Sequence, residues 1–221
     1  MEKLNFSDCT LYKMEKMFRL ISLEKMPSLA NWITAGIELT DFDRENIRRL
    51  CHSLQKNVAH WNETDLSLHF IGPMFSLVDF TERYRFNLFA QRSIFATING
   101  INLGGRTDEI IATGYREPET PFFAFNEYKK ETDSDGDPAG QVLAAMLVGQ
   151  SQNQVEGNDF PIYGCYIIGR SWFFIILEGY HYAISNAFNS TKEEDALQIL
   201  RILFQLKVYC MERTAHIVVE N

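Results

Sequence analysis

Apolar positions along this chain follow two rhythms, and the change between them falls near Tyr84. Before it, spacing is helical. Ile47, Leu50, Cys51, Leu54 and Val58 step by 3, 1, 3 and 4 and share one helix face. Asn62 is a suitable N-cap for a second helix, with Glu63 in its first turn, Asp65 at its third position, and Leu66, Phe70, Met74 and Leu77 as its stripe. Pro73 inside that stripe predicts a kink or an early end. After Tyr84 the apolar runs shorten and glycines separate them. Strands are predicted over 83–90, 93–98, 108–113, 122–129, 162–168, 171–177 and 181–184, with turns at Gly104-Gly105 and at Gly169-Arg170, the second closing a hairpin. A helix over 138–152 would start from Asp137 as N-cap with Pro138 in its first turn. A last helix is predicted over 192–206 on Ala196, Ile199, Leu200, Leu203 and Leu206. Helix, strands, helix, strands, helix is the order of a mixed sheet with helices packed on it, an α/β or α+β class.

Composition narrows this picture without changing it. At 46% hydrophobic and 23% charged, 221 residues can bury a sizeable core, as one large domain or a domain with a helical extension. Cys9, Cys51, Cys165 and Cys210 are far apart with no CxxC, and the five histidines form no HExxH or HxH pair, which argues against a zinc ribbon, a thioredoxin-like site or a zinc hydrolase. The opening MEKLNFSDCT has no basic-then-apolar leader pattern. The most apolar run, SWFFIILEG, falls far short of the ~20 residues that span a bilayer, so no membrane partner and a cytoplasmic location are expected. A net charge of −8 argues against a surface that coats nucleic acid broadly, but leaves room for a local basic groove.

The candidate chemistry gathers at one end of the predicted sheet. The strand PFFAFNEYK closes on Glu127 and Lys129, which lie two apart and so emerge on the same face. Asp108 opens an earlier strand, 127 − 108 = 19 residues away, enough for a strand, a turn containing Pro118 and Pro121, and a second strand. If those strands form a hairpin, ~4.8 Å apart, both carboxylates can reach one small cation. Gln141 sits in the first turn of the following helix, where Ala144, Ala145 and Val148 would let that helix lie close and hold Gln141 near Lys129. Two carboxylates with a lysine suit magnesium-assisted phosphodiester hydrolysis: Mg²⁺ takes oxygen ligands at ~2.1 Å and often only one or two protein carboxylates. It polarises the phosphate and acidifies a water, while a lysine beside that water orients it and offsets the anionic transition state.

Asp108, Glu127-Tyr128-Lys129 and Gln141 on a helix resemble the core of the PD-(D/E)XK nuclease superfamily, the restriction-endonuclease-like fold. The stretch WNETDLSLHFIGPMF resembles that family's opening helix, and GGRTDEIIATG through PIYGCYIIGRSWFFIILEG resembles bacterial members. The resemblance covers roughly 62–179. It implies a core of helix, three antiparallel strands, helix and strand over 62–221, preceded by an N-terminal helical extension over 1–61. It implies Mg²⁺, with Mn²⁺ as substitute, held by Asp108 and Glu127 with Glu63 as the additional helix acid. It also implies Lys129 and Gln141 in the catalytic set, and nucleic acid, DNA first, as partner. Thr107 stands where the family often has proline.

Other readings of the same residues stay open. Glu127 and Lys129 could be a solvated pair at a strand end. Glu63 suits a helix's first turn through the macrodipole alone, and Gln141 could hydrogen-bond a loop. Tyr128 is expected to pack, Lys130 to lie on the surface or contact a backbone phosphate, and Trp172, Phe173 and Phe174 to be core. Glu131, Asp133, Asp135 and Asp137 crowd the site and could join a metal shell or repel a nucleic-acid backbone. Asp133 to Asp137 is not a calcium loop, because position twelve falls on Ala144. Arg92, Arg106 and Arg170 could line a phosphate groove. The aromatic content permits a homodimer. A second function class is a binding or regulatory protein that keeps the fold without turnover.

Overall fold

The structure, a computed structural model, describes residues 2–82, 85–132 and 135–217. The chain opens with strand β1 (Glu2–Asn5), helix α1 (Leu11–Phe18), the short strand β2 (Ile21–Ser22), and helices α2 (Pro27–Ile33) and α3 (Asp41–Asn57). Helix α4 (Glu63–Leu66) runs through a π-helical turn, Ser67–Ile71, into α5 (Gly72–Val78). Then come β3 (Asn87–Ala90), β4 (Ser93–Ile98), β5 (Ile101–Arg106), β6 (Glu109–Thr113) and β7 (Glu119–Lys129). They are followed by α6 (Pro138–Val155), β8 (Ile162–Ile168), β9 (Ser171–Glu178), β10 (His181–Ile184), β11 (Phe188–Asn189) and α7 (Glu193–Arg213).

A mixed sheet runs β2-β10-β9-β8-β7-β6-β3, with β11 against β9. Within it β3, β6 and β7 are antiparallel, β8 joins β7 in parallel, and β9 and β10 continue antiparallel. Alternation along the strands gives each face its own core. Ile111, Phe123, Tyr163, Ile167 and Phe174 pack with α3, α5 and α7; Ile110, Phe122, Phe125, Ile162 and Ile175 pack with α1 and α6. This is the mixed α/β architecture expected, a central sheet flanked by helices. The order α4–α5, then β3, β6 and β7 antiparallel, then α6, then β8 parallel is consistent with a restriction-endonuclease-like core. A second, three-stranded sheet β1-β5-β4 is built on the β4–β5 hairpin, which is inserted between β3 and β6. Strands from the first 61 residues enter both sheets: β1 pairs with β5 and β2 with β10, each in parallel.

Four details differ from the sequence expectation. Gly104-Gly105 is not a turn but the end of β5; the turn is at Asn99-Gly100, both at positive φ. The two glycines permit close approach instead: a Cβ on Gly104 would lie 2.5 Å from Phe95 Cβ, and one on Gly105 2.9 Å from the Phe6 ring. Pro73 does not end its helix. The ladder widens to the π-helical turn just before it, so the proline enters in the first turn of α5, where its missing N–H is not needed. The strand expected over 83–90 is seen only as Asn87–Ala90, with positions 83 and 84 outside the described residues. Of the expected core aromatics, Trp172 and Phe174 are fully buried, while Phe173 is half-buried and stacks on Tyr166 at 4.6 Å.

Helix α6 is buried from Pro138 to Gln150 and sets the spacing of one face. Gly149 lets it lie on the sheet, since a Cβ there would meet the Phe125 ring at 2.5 Å, and Ala144 and Ala145 are buried. Its start is tied by Asp137, whose Oδ1 accepts from Gly140 N at 3.0 Å as the N-cap and whose Oδ2 accepts from Leu11 N at 2.8 Å. One carboxylate thus joins α6 to α1. Asp137→Ala removes the cap and leaves the Leu11 N–H without its partner, so it should cost about 1–3 kcal/mol. A urea unfolding midpoint lowered at unchanged m-value is the expected result; an unchanged midpoint would mean that the tie contributes nothing.

Candidate functional site

The β6–β7 ladder decides where the acids meet. Its register pairs Glu109 with Asn126. In an antiparallel pair the position numbers sum to a constant, so the next step places Asp108, just before β6, opposite Glu127. The irregularities in this ladder lie beyond Ile111, at the far end, and leave that pairing undisturbed.

Asp108 is tightly held. Its Oδ2 accepts from Tyr128 N at 2.9 Å and its Oδ1 from the Gln91 side-chain amide at 2.8 Å. Glu127 is held by Lys129: Nζ donates to Oε1 at 2.9 Å, both side chains being largely buried. Glu63, at the start of α4, brings its Oε1 to 3.9 Å from the same amine and is about half exposed. Its helix is capped by Asn62 and Asp65 in a capping box. The Tyr128 hydroxyl lies 3.2 Å from Ser67 Oγ, where the π-helical turn begins, and so links the helix carrying Glu63 to the strand carrying Glu127.

Crowding shows in the acid–base properties. Burial, then the neighbouring Asp108, push Glu127 up to about 7 against the pull of Lys129. Burial also raises Asp108, with the Tyr128 N–H, Gln91, Lys129 and Arg106 opposing it. For Lys129, burial works to lower the value, but Glu127, Glu63 and Asp108 outweigh it and the amine ends up raised and charged. Tyr128 is pushed to about 12, chiefly by burial. Behind the site, on the other face, Glu109 is fully buried with the Asn126 amide 3.2 Å away and is likewise driven by burial to about 7.

Asp108, Glu127, Lys129 and Glu63 are therefore neighbours. Gln141 is not joined to them by any described side-chain hydrogen bond. It is buried in the first turn of α6 with its amide nitrogen against Gly136, 2.7 Å from where a Cβ would stand. The further acids divide. Glu131 is committed to Arg170, accepting from its backbone N at 2.8 Å and from Nε at 2.6 Å. Asp137 is the cap described above, Asp135 is exposed, and Asp133 lies outside the described residues. Among the arginines, Arg170 is thus occupied, Arg92 pairs with Glu117 at 3.0 Å, and Arg106 donates to the Gln91 carbonyl at 3.1 Å. Gln91 had no distinguishing sequence signal beyond being a polar break between two apolar strand runs.

Among the described residues, no group of three or more His, Cys, Asp or Glu has the arrangement of a metal cage. The donor set is two opposed carboxylates, which suits a hard cation that completes its shell with water and phosphate oxygens, and not one that demands a closed protein cage. A cavity of about 710 Å³ lined by Met17, Arg19, Asn99, Tyr180 and His181, among others, includes none of these residues. No described helix is long and apolar enough to cross a membrane.

No protein-family model matches the chain, and no curated protein matches it. Among solved structures, the cryo-EM structure of the DrdV–DNA complex is similar to it at 13% identity and a TM-score of 0.40. The match covers 73% of this chain and 14% of that one, so this chain spans a small part of that neighbour's length.

The buried carboxyls carry a sign for stability against pH. Glu109 and Glu127 have ordinary values of 4.5 and folded values of about 7, so the folded state keeps protons that the unfolded chain releases. Their contribution is full below 4.5 and is lost as pH rises through about 7. Melting at pH 5 and pH 8, below and above the folded value of about 7, should show a fall in wild type that is smaller in Glu109→Gln, whose amide oxygen still accepts from Asn126. An identical fall in both proteins would show that Glu109 is not protonated in the fold.

Proposed function

We propose that this chain is a Mg²⁺-dependent nuclease, hydrolysing phosphodiester bonds in nucleic acid, with DNA as the first substrate to try. The observation that carries the reading is the opposition of Asp108 and Glu127 across β6–β7, with the Lys129 amine 2.9 Å from Glu127. Two like charges confined in a half-buried place raise each other's proton affinity, and a divalent cation relieves that repulsion better than the lysine alone. Asp108 and Glu127 would hold the ion, with Glu63 near enough through Lys129 to join by way of a water. Mg²⁺, or Mn²⁺ in its place, supplies phosphate polarisation and an acidified water when bound.

The chain's own groups do the rest. Lys129 stays charged, so its amine can orient a water by hydrogen bonding and offset negative charge developing on the phosphate. Glu127 fixes where that amine points. The Tyr128 N–H keeps Asp108 in line with the ladder, and the Tyr128 hydroxyl keeps the α4 end near the amine. Arg106, beside Asp108 on the inserted hairpin, is the arginine of the expected groove best placed for a backbone phosphate.

A second reading is a binding or regulatory protein without turnover. It is favoured by the same hydrogen bonds: both Asp108 oxygens already have donors, Lys129 already has Glu127, and the chain carries −8 overall. A screen of single- and double-stranded DNA and RNA with Mg²⁺ and Mn²⁺ separates the two. The nuclease reading expects metal-dependent cleavage that falls about 100-fold or more in Glu127→Ala and in Lys129→Ala. Cleavage undiminished in both variants would sink it, and an absence of cleavage on every substrate would favour the second reading.

A further inference from the structure

Two donors of different kinds hold Asp108. The Tyr128 N–H belongs to the ladder backbone. The other donor, the Gln91 amide, comes from the junction where the inserted β4–β5 hairpin leaves β3. Gln91 is an exposed residue in left-handed backbone, φ +56°, a conformation that residues other than glycine hold at a cost and keep chiefly where surrounding contacts over-determine it. Its N–H donates to the Asp108 carbonyl at 2.8 Å, its side chain donates to Asp108 Oδ1 at 2.8 Å, and its carbonyl accepts from Arg106 Nε at 3.1 Å. A residue needed only to make this turn would be better replaced by glycine. What glutamine adds is the amide.

That amide has a geometric job. The last torsion of an aspartate is broad and roughly two-fold, so the plane of an isolated carboxylate is poorly fixed. One donor on each oxygen fixes it. About two of the four acceptor sites then remain for a ligand. We infer that Gln91 is a positioning residue, whose amide sets the plane of the Asp108 carboxylate and thereby the affinity of the Asp108–Glu127 pair for a divalent cation. This rests on the reading of those two carboxylates as cation ligands. It also gives the inserted hairpin a role, because Gln91 at the junction leading into it and Arg106 at its end both act on the acid.

Two variants separate positioning from support. Gln91→Leu keeps the side-chain bulk and the backbone conformation but has no donor. Gln91→Gly also lacks the donor but relaxes the left-handed backbone, so it should leave the metal-free melting temperature unchanged or raised. Calorimetric titration with Mn²⁺ alone, on wild type, both variants and Asp108→Asn, is the measurement, with metal-free melting recorded for each. Wild type should bind one Mn²⁺ and Asp108→Asn should not. Both Gln91 variants should bind about tenfold more weakly, as is usual when a partner of a metal ligand is removed, with Gln91→Gly no less stable than wild type. Binding within twofold of wild type in both variants would overturn the inference and leave the nuclease reading standing. So would a loss of affinity that appears only in a variant whose melting temperature has fallen. If wild type binds no Mn²⁺, or Asp108→Asn binds it equally well, the parent reading fails and this inference fails with it.

Discussion

Two carboxylates facing each other across one rung of an antiparallel ladder are the constraint around which this end of the molecule is arranged. Asp108 stands one step before β6, and extending the Glu109–Asn126 register places it opposite Glu127, with its carboxylate tied to the strand through Tyr128 N. Like charges this close and this buried are unfavourable unless something compensates. The compensation is visible atom by atom: the Lys129 amine on Glu127, the Tyr128 N–H and the Gln91 amide on Asp108, and Arg106 nearby. Even so, Glu127 remains shifted to about 7. A divalent cation, as proposed, would relieve this residual repulsion; an ordinary surface ion pair would be exposed and worth little either way.

The remainder of the fold keeps that rung where it is. β7 is central, with β6 on one side and β8 on the other, and it is covered by α6 on one face and by the α3, α5 and α7 layer on the other. Glycine at Gly149 lets α6 approach, and Asp137 ties its first turn to α1. Two of the acids after β7, Glu131 and Asp137, are held by partners of their own. Glu131 closes the β8–β9 turn through Arg170, where Gly169 at φ +54° leaves room for its side chain. The dense acidic stretch after β7 is thus partly scaffold.

Much of this was legible before any coordinates. Strand alternation put Glu127 and Lys129 on one face, and the 19-residue separation left room for a hairpin that brings Asp108 to the same end; that Asp108 meets Glu127 depends on the register shifts between Ile111 and Thr113, which no local pattern announces. The Asn62 and Asp137 caps were readable because capping is local chemistry. What was not legible is tertiary. Where Gln141 turns could not be read, because α6 is buried along most of its length and its pattern does not say which face its first turn presents. β1 and β2 are four and two residues long and pair with strands far along the chain, which leaves no local periodicity to read. Gly104-Gly105 looks like a turn in sequence, since glycine for tight approach and glycine for positive φ are the same letter. Gln91 carries no motif at all, and its role follows only from where the inserted hairpin leaves the sheet.

The central claim is that Asp108 and Glu127 jointly hold one divalent cation. The most direct measurement is a crystal structure of the protein soaked in Mn²⁺, with the ion located by its anomalous scattering. The account predicts a single strong peak between the two carboxylates, ~2.1–2.2 Å from an oxygen of each, with the Lys129 amine beside it and not bound to it. No peak there, or peaks only along the acidic stretch from Glu131 to Asp137, would contradict it.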